Sequence, residues 1–176
     1  MADFADSPEF IASQAAGEKL MALLRAEFPE FEPAWQEHVA FWEGEPAGSY
    51  LDISVFARFI HDDLFERRQT ATAERAFHLF EKTFLDGDEP TRDLIAIGFI
   101  EDLQNYSSSR NAGHARIVPL LPPVLMKVWK EIERQWAGHS SLADVIEAEN
   151  RNSNGTRAPT GPNQSKWADL INSIEG

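Results

Sequence analysis

The residue pair with the clearest potential for chemistry is His61-Asp62, a histidine directly followed by an aspartate. Imidazole and carboxylate groups can hold a divalent metal ion, but a complete site needs further ligands around that ion. His38 and either Asp93 or Asp102 could supply them. Because a His-Asp doublet is common by chance, we interpret it as the solvated end of a helix and predict no functional metal site.

Two other groups could act as acid, base or nucleophile. Glu101-Asp102 lies in a strongly apolar stretch, where burial raises the pKa of a carboxyl group unless a positive charge pairs with it. Residues 107–109 are three serines, but they lack a GxSxG context and a His–Asp partner set. The sequence contains no cysteine, P-loop or GxGxxG motif. We therefore predict no catalytic residue and no cofactor, and we expect the carboxylates to pair with Arg58, Arg75, Arg92 or Arg110.

The net charge of −13 is concentrated towards the N-terminus of the 176-residue chain. Residues 1–48 hold ten acidic and two basic side chains, and residues 49–110 hold twelve and seven. Residues 111–176 hold seven of each. Such a field repels nucleic acid and anionic lipid and attracts a basic partner. We expect no nucleic-acid partner, and solubility alone is the other explanation of the charge.

One segment combines negative charge with aromatic side chains. Residues 26–57 contain seven acidic residues and no lysine or arginine, and aromatic residues are interleaved with the acids. Aromatic anchors surrounded by one sign of charge are typical of an interface with a basic protein. The alternative is a helical hairpin with an acidic outer face. The predicted partner-binding residues are Glu30, Glu32, Trp35, Glu37, Phe41, Trp42, Glu43, Glu45 and Tyr50.

The hydrophobic spacing predicts an all-α fold, because no strand-like alternation recurs. We expect a single-domain bundle of antiparallel helix hairpins over residues 1–149, with HEAT-like stacking as an architectural option. Residues 90–106 form its central helix, in which Gly98 lets a neighbouring helix approach closely. A linker at 150–165 and a short docking helix at 166–175 follow. The other helices are predicted near 7–28, 32–42, 50–66, 71–85, 115–121 and 122–137, and from 141 onwards.

Localisation is predicted from what the sequence lacks. No run approaches eighteen apolar residues, so we expect no membrane span. The acidic N-terminus has no basic region followed by an apolar one, which argues against a signal peptide. The absence of cysteine fits a reducing compartment. These features favour a cytoplasmic protein.

Several short runs carry a resemblance to a known family. They are Tyr50-Leu51-Asp52, Phe77-x-x-Phe80-Glu81, Asp86-Gly87-Asp88-Glu89 and the run DLIAIGFIEDLQN at 93–105. Over roughly 50–106 the chain resembles a family of small bacterial proteins of uncharacterised domain type, whose members resemble immunity proteins of polymorphic-toxin and contact-dependent inhibition systems. The resemblance implies a helical, non-enzymatic protein that neutralises a cognate toxin by binding it. The alternatives are an HD-like metal-dependent phosphohydrolase and a helical adaptor or scaffold.

Overall fold

The computed structural model describes residues 7–138 and 167–174, and within these ranges it contains helices and turns but no strand. This confirms the predicted all-α, single-domain fold. We refer to residues 89–108, which form one continuous rod, as the central helix. The elements are α1 (Pro8–Glu27), α2 (Glu32–Phe41), α3 (Ser49–Phe65), α4 (Ala71–Asp86), α5 (Glu89–Asp93), a π-helix (Leu94–Glu101), α6 (Asp102–Ser108), α7 (Gly113–Ile117), α8 (Pro123–Gly138) and α9 (Ala168–Asn172), with 3₁₀ turns at Pro29–Phe31 and Val118–Leu120.

Side-chain caps fix the starts of α1 and the central helix. The Ser7 hydroxyl accepts the backbone N–H of Phe10 at 3.2 Å, and the Asp88 carboxylate accepts that of Thr91 at 3.0 Å. A proline occupies the first turn of both helices, where its missing N–H leaves no intrahelical bond unmade. Both starts agree with the sequence prediction. Hydrogen bonds from Thr91 lower the pKa of Asp88, so this cap is strongest when the carboxyl group is ionised.

The core is built where the central helix crosses α3. A Cβ atom placed on Gly98 would lie 2.1 Å from Cγ2 of Ile53, so only glycine permits this approach. The predicted role of Gly98 is thereby confirmed. Next to it, the Phe99 ring is fully buried and stacks on Phe80, with 4.0 Å between the ring centroids. Phe99 and Ile100 are buried, whereas Ile97 in the same apolar stretch is only partly buried.

Helix α3 is the hub of the described part of the chain. It packs against α1, α2, α4 and the central helix, so the other helices surround it. This arrangement gives no support to HEAT-like stacking of successive hairpins.

None of the described helices is both long and apolar enough to cross a membrane. The helix predicted from 141 and the linker predicted at 150–165 lie outside the described residues.

The tail helix α9 lies against the domain through the residue that precedes it. Trp167 is 4% exposed, and its ring meets the edge of Phe84 with 5.6 Å between centroids. Its indole N–H donates to Asp93 at 2.8 Å. At the other end of the tail, the Lys127 ammonium donates to the Ser173 carbonyl at 2.9 Å. Leu170 and Ile171, between these two contacts, and Ile174, just after the second, pack against the core.

Candidate partner-binding surface

Of the nine predicted partner-binding residues, Trp35 lies in the core. Its side chain is 7% exposed and packs beside Phe31, with 6.5 Å between ring centroids. The Arg25 guanidinium covers the outer side of the indole at 5.6 Å from its centroid. Trp35 therefore holds α2 on the domain and cannot present its ring to a partner while the fold is intact.

Two predicted acids, Glu30 and Glu32, are paired within the chain. The Arg75 guanidinium lies 3.0 Å from the Glu30 carboxylate. Arg25 donates two hydrogen bonds to the two oxygens of Glu32, at 2.8 and 2.7 Å. Arg25 lowers the pKa of Glu32 by donating these bonds. Because a neighbouring arginine offsets each charge, these two acids contribute little to a field that would attract a basic partner.

The other predicted residues of α2 and the following turn are exposed. Phe41 is 79% exposed and Trp42 is 42% exposed, and their rings meet edge to face with 5.7 Å between centroids. Three exposed glutamates border the pair and form no ion pair within the described residues. We call this set the acidic aromatic surface; it consists of Glu37, Phe41, Trp42, Glu43 and Glu45.

The loop that carries half of this surface is fixed to α3 by a buried carboxylate. One oxygen of Asp52 accepts the backbone N–H of Ala47 at 3.0 Å and lies 2.7 Å from Nε2 of His38. Asp52 is only 8% exposed, so it belongs to the loop's anchor and not to the acidic surface that its sequence neighbours suggested. Positive φ values at Gly44 and Gly48, 93° and 113°, let the loop reverse direction.

The start of α3 adds two exposed side chains beside the loop. Tyr50 is 42% exposed and lines a cleft of about 960 Å³ between α1 and α5. Burial, and to a smaller extent the charge of Asp93, raises the pKa of Tyr50, so its hydroxyl remains a hydrogen-bond donor. Leu51 is 51% exposed. The buried positions at the start of α3 are Ser49, Asp52 and Ile53, so the apolar Leu51 lies on the outer side of the helix.

The expected solvated helix end describes only one half of the His61-Asp62 doublet, since the Asp62 side chain is 45% exposed but His61 is buried. His61 is 6% exposed, and its Nδ1 atom lies 2.9 Å from the Asp62 carboxylate. Two of the three proposed additional ligands are engaged elsewhere, since His38 contacts Asp52 and Asp93 accepts the Trp167 indole N–H. Within residues 7–138 and 167–174 no group of three or more His, Cys, Asp or Glu side chains is placed to hold a metal ion.

The expected arginine partner of Glu101-Asp102 is also not found among the described residues. Arg75, Arg92 and Arg110 bind Glu30, the end of α4 and Glu66 respectively. Arg58 lies over the ring of Tyr106, at 5.6 Å from its centroid. That prediction was wrong because each guanidinium has a closer partner. Burial, and then the charge of Asp102, raises the pKa of Glu101.

Residues 21–137 match the model of a family described as a domain of unknown function, DUF7674. The chain belongs to this family. The matched range extends beyond the 50–106 region of the sequence resemblance and includes the acidic aromatic surface, whereas the tail helix of this DUF7674 protein lies outside it. No curated protein and no solved structure matches the chain.

Proposed function

We propose that this chain is a binding protein and not an enzyme, and that it captures a basic partner protein through the acidic aromatic surface. The partner is a toxin domain that the contact neutralises in the bacterial cytoplasm. The proposal that the chain binds a basic protein is supported by the exposed Phe41–Trp42 pair and the three unpaired glutamates around it. The toxin part rests on the sequence resemblance to immunity proteins.

The exposure of the Phe41 and Trp42 rings is best explained by a role in binding. Two large adjacent rings at the surface leave apolar area unburied, whereas Trp35 on the same helix is buried. Aromatic side chains lose little conformational entropy on binding and bury a large area, so they are common anchors of protein interfaces. Phe41 and Trp42 therefore suit the centre of a contact.

The charge around the pair selects the partner. Glu37, Glu43 and Glu45 are exposed and have no internal counter-ion among the described residues, unlike Glu30 and Glu32. Unpaired charges of one sign speed the encounter with an oppositely charged protein and disfavour acidic ones. A partner with lysine or arginine around an apolar recess fits this surface best.

The loop is held in place before any partner arrives. Asp52 fixes it through Ala47 and His38, and Ser49, the first residue of α3, donates its backbone N–H to the Gln14 side chain at 3.0 Å. A surface ordered in advance loses less entropy on binding than a mobile one does. This anchoring favours a dedicated interface over an incidental apolar patch.

A helical adaptor that binds a different basic protein is the second candidate, since the same surface would serve it. The identity of the neighbouring gene separates the two proposals, because an adjacent toxin-domain gene favours immunity. The phosphohydrolase alternative has little support, because no further metal-ligating side chain is placed beside the His61-Asp62 doublet among the described residues.

The experiment measures association and dissociation rates between this chain and the toxin domain of the neighbouring gene at two salt concentrations. Replacing Glu37 and Glu43 by lysine should slow association roughly tenfold at low salt and flatten its salt dependence. Trp42→Ala should act mainly on dissociation, by about 2 kcal/mol or more.

A matched control tests whether position or net charge matters. Glu18 and Glu74 are exposed on α1 and α4, and replacing them by lysine changes the net charge by the same amount. This control should alter association much less than the Glu37 and Glu43 pair does. Equal effects of the two double variants would place the contact elsewhere, and no binding to the toxin domain would remove the immunity proposal.

A further inference from the structure

A polar pocket of about 330 Å³ lies between the second half of α3 and the end of α6. At 1.5 Å per helical residue it is roughly 15 Å along α3 from Tyr50, so it is separate from the acidic aromatic surface. Its main lining residues are Arg58, His61 and Asp62 from α3 and Asn105, Tyr106 and Arg110 from α6 and the turn after it.

Arg58 is the residue in this pocket with the most unused binding capacity. Its guanidinium lies over the Tyr106 ring, at 5.6 Å from the centroid, and makes no ion pair or hydrogen bond with any described residue. Contact with a ring face leaves the in-plane N–H donors free, and these form the fork that fits two oxygens of one anion. Arg110, by contrast, is paired with Glu66.

Some of the remaining groups of the pocket are paired with neighbours, and others are not. The Asp62 carboxylate is approached by Nδ1 of His61 at 2.9 Å, and the Tyr106 hydroxyl is 2.7 Å from that of Ser54. The Asn105 side-chain amide makes no hydrogen bond within the described residues. In the buried wall, the side chain of His61 is 7% exposed, and its Nε2 atom has no hydrogen-bond partner.

We infer that this pocket binds the carboxylate or phosphate group of a small ligand, with Arg58 contacting two of its oxygens and the Asn105 amide donating beside it. Glu66 offsets the charge of Arg110, and the Asp62 carboxylate also lines the pocket, so the positive charge available to an anion is that of Arg58. Its planar fork gives an anion two charge-assisted hydrogen bonds, which a metal cation cannot accept. A polar group of the ligand that reaches the buried wall would satisfy Nε2 of His61.

The test follows amide and arginine side-chain NMR signals during titration with inorganic phosphate and, in a separate arm, with succinate, at constant ionic strength. Saturable shifts should appear at residues 105–110 and at the Arg58 Nε–H group. Tighter binding of phosphate assigns the site to phosphate esters, and tighter binding of succinate assigns it to carboxylic acids. Shifts that do not saturate below about 10 mM with either probe would overturn the proposal.

Arg58→Gln should weaken binding of the better probe tenfold or more, because it removes the fork. Arg68→Gln is the matched control, since it removes the same charge from an exposed position just after α3 and should leave the dissociation constant unchanged. Both arginines are exposed, so neither variant should shift the unfolding midpoint. If the unfolding midpoint of Arg58→Gln does shift, Asn105→Ala is used in its place. This second variant should weaken binding severalfold. Equal binding by the wild type and both pocket variants contradicts the site.

Discussion

The Nε2 atom of His38 lies 2.7 Å from an oxygen of Asp52, and the same oxygen accepts the backbone N–H of Ala47 at 3.0 Å. One buried carboxylate thus ties α2, the loop after it and α3 together. The loop presents Glu43 and Glu45, so the position of the acidic aromatic surface depends on an acid that is not part of it.

Asp52→Ala should lower the free energy of unfolding by about 1–3 kcal/mol, because it leaves a partly buried N–H and a partly buried imidazole without their acceptor. Amide exchange at Ala47 should become faster than in the wild type. Urea denaturation and hydrogen exchange measure the two effects. Glu45→Ala, an exposed change in the same loop, should stay within about 0.5 kcal/mol. Unchanged exchange at Ala47 in Asp52→Ala would show that the carboxylate does not hold the loop.

Gly98→Ala should destabilise the fold by about 1–3 kcal/mol, although alanine is the better helix former by about 1 kcal/mol. The reason is the 2.1 Å approach of the new Cβ to Cγ2 of Ile53. A double-mutant cycle with Ile53→Ala tests this reason directly. The loss in the double variant should be smaller than the sum of the two single losses, since Ile53→Ala makes room for the methyl group. Additive losses would mean that the two residues do not collide.

The helices were predictable because their apolar spacing, prolines and caps are local properties. Which residues of the candidate surface are buried, paired or exposed was not predictable from the sequence. Trp35, Val39 and Trp42 have the spacing of one helical face, but α2 ends at Phe41 and Trp42 leaves the helical path. Whether Glu30 and Glu32 are paired depends on Arg75 and Arg25, which approach only in the folded chain.

Glu101 should make the stability of the protein fall as the pH rises. Burial and the charge of Asp102 raise its pKa in the folded state, so the folded chain keeps this proton to a higher pH than the unfolded chain does. Ionisation of Glu101 therefore destabilises the folded state progressively as the pH rises from the ordinary glutamate pKa, about 4.3, through the raised pKa of the folded state.

Glu101→Gln keeps the size of the side chain and removes this ionisation. The unfolding midpoint of the variant should exceed that of the wild type near neutral pH, and the difference should shrink as the pH falls below about 4.3. Urea titrations at several pH values give the comparison. A difference that is constant across this range would contradict the assignment, because a lost hydrogen bond or contact would not follow the ionisation.

Trp35 and Trp42, seven residues apart in one acidic segment, should respond to the same substitution in opposite ways. Trp35→Ala should cost about 3–5 kcal/mol of unfolding free energy, because it empties a buried site next to Phe31. Trp42→Ala should cost about 1 kcal/mol or less, since its ring is 42% exposed and rests mainly on Phe41.

Binding should reverse that order once stability is controlled. At a temperature where Trp35→Ala remains folded, its affinity for the basic partner should equal that of the wild type, because the indole faces the core. Trp42→Ala should bind roughly thirtyfold more weakly or worse, which corresponds to about 2 kcal/mol or more. Denaturation midpoints and dissociation constants of both variants complete the comparison. Equal affinity of Trp42→Ala and the wild type would show that the exposed pair is not the anchor, and the contact would then have to be sought on another face.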